Sequence, residues 1–330
     1  MPKQSVNQVT VKTGGKLYIA GEYSVLTPGQ TALIQFIPIF MSAEVKEAPS
    51  TQLSSDMFDY SVGRELDANY ALIQEALNTF EAFCGEKLPA LDLSITGKLE
   101  RDGVKFGIGS SGSVVVLTLK ALAAALQKDL SKDILFKLAS YTLLKQGDNG
   151  SMGDLACIVY EDLISYRSFD RAKIAELIDQ ITLSELLDKD WGYRISPVVP
   201  VLQAHFLVGW TKQAAISKDM VKMAKSRISS KYLSETEVAV QDALKALETG
   251  DKNLLKSSLQ TVSDQLESLS PDIYVDKLKK LKAEQGLDAI AKSSGAGGGD
   301  CGIAFAFDQS SRDALVERWQ QVGIELLYEV

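Results

Sequence analysis

The residues of this 330-residue chain that could do chemistry gather in four short stretches. KFGIGSSGSVVV holds Gly107, Gly109 and Gly112 with Ser110, Ser111 and Ser113, and SSGAGGGDCGIA holds Gly295, Gly297, Gly298, Gly299 and Gly302. The total of 24 glycines is ordinary, near the usual share of about 7%, so their placement carries the signal. Such clusters allow positive φ and close approach of backbone to a ligand, although two tight turns would also use them. The first cluster immediately precedes a long apolar segment of helical character. Free backbone N–H groups, hydroxyl donors and the positive end of a helix therefore converge there, an arrangement suited to a polyphosphate. Lys105, just upstream, adds a full positive charge. Simple N-capping is the ordinary alternative for the serines. In the third stretch, GGKLYIAGEYSVL, Lys16 and Glu22 interrupt an apolar run, which on an edge strand would put the lysine in solvent. The fourth, GDNGSMGDLA, sets Asp148, Asn149, Ser151 and Asp154 in a glycine-punctuated loop, where caps and turns are usual.

Residues 107–112 literally spell GxGxxG, but a dinucleotide fingerprint also needs an acidic residue at the end of the next strand, about 20 residues on. Asp133 stands at about that distance inside a predicted helix, so an oxidoreductase is rejected. No GxxxxGK[ST] motif is present either. One histidine excludes sites with two or more histidine ligands. That residue, His205, lies in the apolar run HFLVGW and reads as a strand residue, leaving proton transfer to carboxylates and lysines. Cys84, Cys157 and Cys301 form no paired motif, so neither a disulfide framework nor a cluster site is indicated. A net charge of −8 opposes nonspecific nucleic-acid binding. MPKQSVNQVTVK lacks the apolar core of a signal peptide, and ALIQFIPIFM is broken by Gln35 and Pro38, well short of a membrane span. The expectation is a soluble, reduced, cytoplasmic protein without nucleic-acid or membrane partners.

The elements that must position these residues are legible from periodicity. Val6 to Val11 alternates, LYIAGEYSVL is strand-like, and ALIQFIPIFMSAEV reads as strand, bend and strand. Helical spacing runs from Tyr70 to Cys84 with Gly85 as a stop, and Leu91, Leu93 and Ile95 alternate. Ser113 to Gln127 is apolar nearly all round and should be buried, and Ser131 opens a helix to about Gln146. Cys157 to Phe169 reads as strand. Trp191 to Pro200, with Pro197 and Pro200, is the expected domain junction. Beyond it HFLVGW reads as a strand, followed by helices near 217–231, 235–249 and 252–268. Ser234 and Glu237 pattern as a capping box, Gly250 as a stop, and Ser270-Pro271 as a further helix start. CGIAFAF, SRDALVERWQQ and IELLYEV read as strand, helix and strand, so the second half is an α+β layer of helices on an antiparallel sheet.

KLYIAGEY, KFGIGSSGSVVV and SSGAGGGDCG, in that order, resemble the three motifs of the GHMP kinases, the group of galactokinase, homoserine kinase, mevalonate kinase and phosphomevalonate kinase. The resemblance spans nearly the whole chain. Within the family, the wording of VKTGGKLYIAGEY, KFGIGSSGS, KQGDNGSMGDLAC, FLVGWTKQAA and KSSGAGGGDCGIA is most similar to bacterial members acting on phosphomevalonate. It implies an α+β GHMP-kinase fold. Residues 1–196 would form an N-terminal domain of the ribosomal-protein-S5-domain-2-like kind, with a left-handed βαβ crossover. Residues 197–330 would form a ferredoxin-like C-terminal domain.

The resemblance also implies roles. ATP would donate its γ-phosphoryl group to the phosphate of (R)-5-phosphomevalonate, with Mg²⁺, in a monomer or homodimer. Lys105 with Gly107, Ile108, Gly109, Ser110, Ser111, Gly112 and Ser113 would hold the ATP phosphates. Asp154, Lys16 and Lys105 would be catalytic, Asp154 beside the acceptor oxygen as base or orienting group. Lys16, Ser151, Asp154, Ser217, Gly295, Ala296 and Gly297 would contact the acceptor. Mevalonate kinases of the family hold Mg²⁺ through a motif-two serine and a glutamate upstream of the aspartate. Here that upstream position is Leu143, leaving Ser111 as the protein ligand. Kinases for mevalonate or homoserine, and a non-catalytic sensor on the same fold, are the alternatives.

Overall fold

The structure, a computed structural model, describes residues 5–215, 224 and 226–330. Ser217, and most of the helix expected over 217–231, fall outside the described residues.

The first half is organised around one long strand. β1 (Val9–Ala20) pairs antiparallel with β2 (Thr31–Glu47), whose 17 residues run unbroken where the sequence suggested strand, bend and strand. Pro38 is the reason for that expectation, and register explains why it fails. On one edge of β2 the β1 ladder is irregular between Gly15↔Ile37 and Thr13↔Met41, so residue 38 lies outside it. The other edge pairs only through residues 31–34 and 42–47, so no ladder needs the missing N–H. Next come β3 (Gln52–Ser55), α1 (Ala71–Cys84) and β4 (Leu91–Thr96), with β3 and β4 parallel and α1 between them in sequence. Gly85, at φ 71°, ends α1 as expected. A two-residue hairpin, β5 (Glu100–Arg101) and β6 (Val104–Lys105), leads into α2 (Ser110–Ala125) and then α3 (Lys132–Lys145), capped by Ser131.

α4 (Gly153–Tyr160) precedes β7 (Ile164–Arg167), so Cys157 lies in a helix and the strand begins seven residues later than Cys157. The apolar run CIVY is compatible with either state; what decides is that Cys157, Ile158 and Val159 are buried, with α4 packed among β1, β2, α2 and α3. α5 (Arg171–Ile178), α6 (Leu183–Leu187) and β8 (Arg194–Pro197) complete a sheet of order β3-β4-β2-β7-β8, with β1 on the free edge of β2. α2 is buried almost all round between this sheet and α1 and α3. Val115, Val116, Leu117, Leu119 and Leu122 are fully enclosed, each contributing about 1.5–3 kcal/mol. That burial anchors the helix whose N-terminus carries the glycine-serine loop.

The second half opens with β9 (His205–Trp210), then α7 (Ser230–Thr249), α8 (Lys252–Leu269), α9 (Asp276–Leu281), β10 (Ala289–Ser293), β11 (Cys301–Ala306), α10 (Gln309–Gln321) and β12 (Glu325–Glu329). The strands form an antiparallel sheet of order β10-β11-β9-β12, the ferredoxin-like arrangement. The capping box at Ser234 and Glu237 is not formed. Ser229 caps α7 instead, by accepting from the Tyr232 N–H. Glu237 is drawn away to Thr31 of the first half, accepting from its backbone N–H and its hydroxyl, both at 2.8 Å. Pro271 likewise sits in a turn, and α9 starts only at Asp276. Among the described residues no helix is long and apolar enough to cross a membrane, and all three cysteines are free.

Candidate active site

The glycine-serine loop is shaped by left-handed backbone. Gly107 and Gly109 have φ of 76° and 90°, and Gly109 is the residue from which α2 springs. Ser110 and Ser111 are the first helical residues of α2, and no side chain caps it, so its first-turn N–H groups have no capping partner. Two hydrogen bonds pin this turn to β1: Lys16 N–H donates to the Ile108 carbonyl at 2.8 Å, and the buried Ser113 hydroxyl donates to the Gly14 carbonyl at 2.8 Å. Ser113 therefore holds the loop with its hydroxyl, while Ser110 and Ser111 remain at the surface of the turn. Lys105 is exposed at the loop's entrance, and its carbonyl accepts from the Trp210 indole at 3.2 Å. Asp300 packs so closely on Gly107 that a methyl group there would lie 2.3 Å from its β-carbon. Burial raises the Asp300 carboxyl above its ordinary range, and the Ala215 N–H, Lys16 and Lys105 draw it back down.

Directly behind the loop lies a cavity of about 220 Å³ lined by Lys16, Tyr18, Glu22, Tyr23, Val25, Leu26, Gly150, Ser151, Asp154, Gly295 and Ala296. Lys16 and Tyr18 are two apart on β1 and so share a face, with the Lys16 ammonium 5.2 Å from the centre of the Tyr18 ring. Asp154 stands in the first turn of α4, not in a loop, where the helix end favours its charge. Burial nevertheless raises its carboxyl above the ordinary aspartate range; Lys16 is the strongest opposing influence, and Asp148 adds to the rise. The two helix N-termini meet here. A methyl on Gly112 of α2 would sit 2.9 Å from Asp154 Oδ2, and one on Gly109 would sit 2.9 Å from Lys16 Cε. Glycine at both positions is what lets the phosphate-type loop reach the lysine and the acid.

The far wall comes from the second half. Tyr23, strained into positive φ at 61°, donates its hydroxyl to the Ala296 carbonyl at 2.6 Å, and Ser294 Oγ donates to the Tyr18 carbonyl at 2.8 Å. Beneath them Lys292 of β10, fully buried, donates to Glu22 Oε1 at 2.5 Å and to the Ser293 carbonyl at 2.6 Å. Burial pulls the Lys292 ammonium below its ordinary range, and Glu22 opposes that.

The structure thus brings Lys16, Ser151, Asp154, Gly295 and Ala296 around one cavity, with Gly107 to Ser113 beside it. Gly297 lies one step outside, its φ of 72° set by backbone packed on Ile273. Leu143, at the position of the family's metal-binding glutamate, is a buried core residue of α3, and no group of three or more acidic, histidine or cysteine side chains placed to hold a metal ion exists among the described residues. Sequence reasoning missed Tyr18, Tyr23, Lys292 and Asp300. The signal for the pair was half present, since Glu22 stood out in its apolar run, but its partner lies 270 residues away.

Comparison with known proteins bears on the whole chain. The family described as "GHMP kinases N terminal domain" matches residues 71–162, and "GHMP kinases C terminal" matches residues 243–325. A protein of Streptomyces sp. (strain CL190) named phosphomevalonate kinase is 31% identical, over 94% of this chain and 93% of its own. Streptococcus pneumoniae phosphomevalonate kinase, solved in complex with phosphomevalonate and AMPPNP, is 50% identical with a TM-score of 0.96, covering 98% of this chain and 99% of that one. The mevalonate kinase of Methanococcus jannaschii, at 17% identity and a TM-score of 0.75 over 98% of both chains, shares the fold. With the first and third motifs lining one cavity, the second beside it, and matches of this extent, the chain belongs to the GHMP kinases.

Proposed function

We propose that this kinase transfers the γ-phosphoryl group of ATP to the phosphate of (R)-5-phosphomevalonate, giving 5-diphosphomevalonate and ADP, a step of the mevalonate route to isopentenyl diphosphate. The observation that carries the reading is the cavity where Lys16 and Asp154 meet the first turn of α2. Its volume of about 220 Å³ is smaller than most ligand pockets and suits a compact acceptor. The names of the Streptomyces and Streptococcus relatives supply the acceptor.

The acceptor atom is a phosphate oxygen whose second pKa is about 6, so it is largely ionised near neutrality and needs little help from a base. The harder task is to bring two anions together. Gly107 to Ser113, with the first-turn N–H groups of α2, cradles the ATP phosphates, Ser113 by holding the loop to β1, and Lys105 at the entrance neutralises the group in transfer. Lys16, held between the loop and Tyr18, bridges donor and acceptor charge. Asp154 orients the acceptor and fixes Lys16 by its own charge. Ser151, Gly295 and Ala296 line the acceptor end, with Gly297 supporting that loop and Ser217 as a further contact from outside the described residues. With the domain boundary near residues 196 and 197, at the end of β8, the phosphate loop, Lys16, Ser151 and Asp154 belong to the first domain, and Gly295 and Ala296 close the acceptor end from the second.

The donor set for Mg²⁺ is sparse, and this suits a hard ion that keeps its waters and binds mainly to phosphate oxygens. Ser111 is the protein group proposed for it, one residue from the glycine that packs on Asp154. When bound, Mg²⁺ neutralises charge on the β- and γ-phosphates. A coupled ADP-release assay over phosphomevalonate, mevalonate and homoserine tests the proposal; preference for either of the last two would defeat it.

A further inference from the structure

Ser151 is gripped from two sides by tyrosines that the sheet aims at it. Tyr18 of β1 lies opposite Ile34 on one edge of β2, and Tyr166 of β7 lies opposite Ala32 on the other. Ala32 and Ile34 are two apart, so both tyrosines leave the sheet on the same face, beneath the N-terminus of α4. The Tyr166 hydroxyl donates to the Ser151 carbonyl at 2.7 Å, and the Tyr18 hydroxyl lies 2.9 Å from Ser151 Oγ. Gly153 N–H also donates to Ser151 Oγ, at 3.2 Å. Space is reserved for this contact: a methyl on Gly153 would come within 2.7 Å of the Tyr18 hydroxyl and 2.8 Å of Ile34 Cδ1. Burial pushes both tyrosine hydroxyls well above their ordinary range, so they stay protonated and available as donors.

A serine hydroxyl can accept twice and donate once. Either oxygen could donate across the Tyr18–Ser151 contact, but the buried Tyr18 hydroxyl has no other hydrogen-bond partner among the described residues, so the direction that satisfies its hydrogen has it donating to Oγ. With the Gly153 N–H donating as well, the acceptor capacity of Oγ is filled and only its own hydrogen remains. We propose that Tyr18 and Tyr166 are positioning residues that lock Ser151 as an obligate hydrogen-bond donor into the acceptor cavity, so that the site reads an anionic oxygen there, the phosphate of the acceptor, in place of an alcohol. The inference rests on the proposed function and adds to it the polarity of one contact. It also explains why tyrosine stands at position 18: phenylalanine would support the Lys16 ammonium with the same ring, but would leave Ser151 free to turn its lone pair to the substrate and accept from an alcohol.

The test is a double-mutant cycle on the full-length enzyme, with ATP and (R)-5-phosphomevalonate, using Tyr18→Phe, Ser151→Ala and the pair together. Ser151→Ala should raise the acceptor KM about tenfold and Tyr18→Phe several-fold, the scale of one hydrogen bond to a charged group. The double variant should be no worse than Ser151→Ala, because Tyr18 acts through the serine. The ATP KM should stay near wild type, and the melting temperature should drop by no more than the few degrees of one lost buried hydrogen bond, which separates the contact from a general loss of structure. Mevalonate, offered as an alcohol acceptor, should gain relative to phosphomevalonate in Tyr18→Phe. Additive effects, or an unchanged acceptor KM in Ser151→Ala, would overturn the clamp while leaving the reaction in place. A wild-type enzyme that does not turn over phosphomevalonate would overturn both.

Discussion

Substituting Glu22 by glutamine removes the counter-charge of Lys292 while keeping the shape of the side chain. Lys292 is fully buried and Glu22 nearly so, at 0% and 2% side-chain exposure, so an ammonium left alone there has no water to turn to. The folded variant escapes by releasing the proton. Holding neutral a lysine whose ordinary pKa is about 10.4 costs about 1.36 kcal/mol per pH unit, or about 4.6 kcal/mol at pH 7. That agrees with the roughly 3–5 kcal/mol lost on breaking a buried pair, and it is a large share of a typical stability of about 5–15 kcal/mol. The sign follows from proton counting. A lysine depressed in the folded state binds fewer protons than in the unfolded chain, so the variant gains stability as pH rises. Between pH 7 and pH 9 it should recover about 2.7 kcal/mol. The double variant Glu22→Gln, Lys292→Met has no buried charge and should show neither the loss nor this pH slope. Urea unfolding of the three proteins at pH 7, 8 and 9, well away from the sequence pI near 5.0, measures all of this. A loss below about 1 kcal/mol at pH 7, or a single variant whose deficit is the same at pH 7 and pH 9, would refute the reasoning.

Other consequences are measurable in the same way. Asp154→Asn and Lys16→Met should each cut kcat strongly with the fold intact by circular dichroism, and near-normal turnover in either would remove that residue from its role. Because burial raises the Asp154 carboxyl, the folded protein holds that proton more tightly than the unfolded chain, and the charge is destabilising at neutral pH. Asp154→Asn should therefore melt higher than wild type at pH 7, with the difference shrinking as pH falls. Lys105→Ala should lower kcat/KM by about a hundredfold, the scale of one charge-stabilising donor, read by steady-state kinetics. Gly112→Ala forces its methyl against Asp154 Oδ2 and Leu155 Cδ2, at 2.9 and 3.2 Å; the resulting shift of the acid should lower kcat by tenfold or more while ATP still binds.

Local features of the fold were legible wherever one signal decided. Gly85 and Gly250 ended their helices in left-handed caps, Ser131 capped α3, and the apolar run after Ser110 became the buried helix it resembled. Sequence reading failed where a distant partner outbid a local preference. Glu237 left a capping box it could have made in order to bind Thr31, 206 residues away. Pro38 broke no strand because both neighbouring ladders skip it. Cys157 joined a helix because burial on every side erases the periodicity that separates helix from strand. Lys16, Asp154 and the two glycine clusters stood out because polar and glycine residues are costly in apolar runs. Tyr18, Tyr23 and Lys292 did not, since tyrosine is ordinary in a strand and a lysine ordinary at a strand's end. Their meaning comes from partners far along the chain: Ser151 for Tyr18, Ala296 for Tyr23 and Glu22 for Lys292.

The central claim is that one cavity joins the phosphate-binding end of α2 to an anionic acceptor under the control of Lys16 and Asp154. ADP release measured with ATP over (R)-5-phosphomevalonate, mevalonate and homoserine, with Asp154→Asn run beside the wild type, tests it most directly. The account predicts turnover with phosphomevalonate well above the other two, and its near-disappearance in Asp154→Asn. Faster turnover of mevalonate or homoserine, or binding of ATP and phosphomevalonate without ADP release, would contradict it.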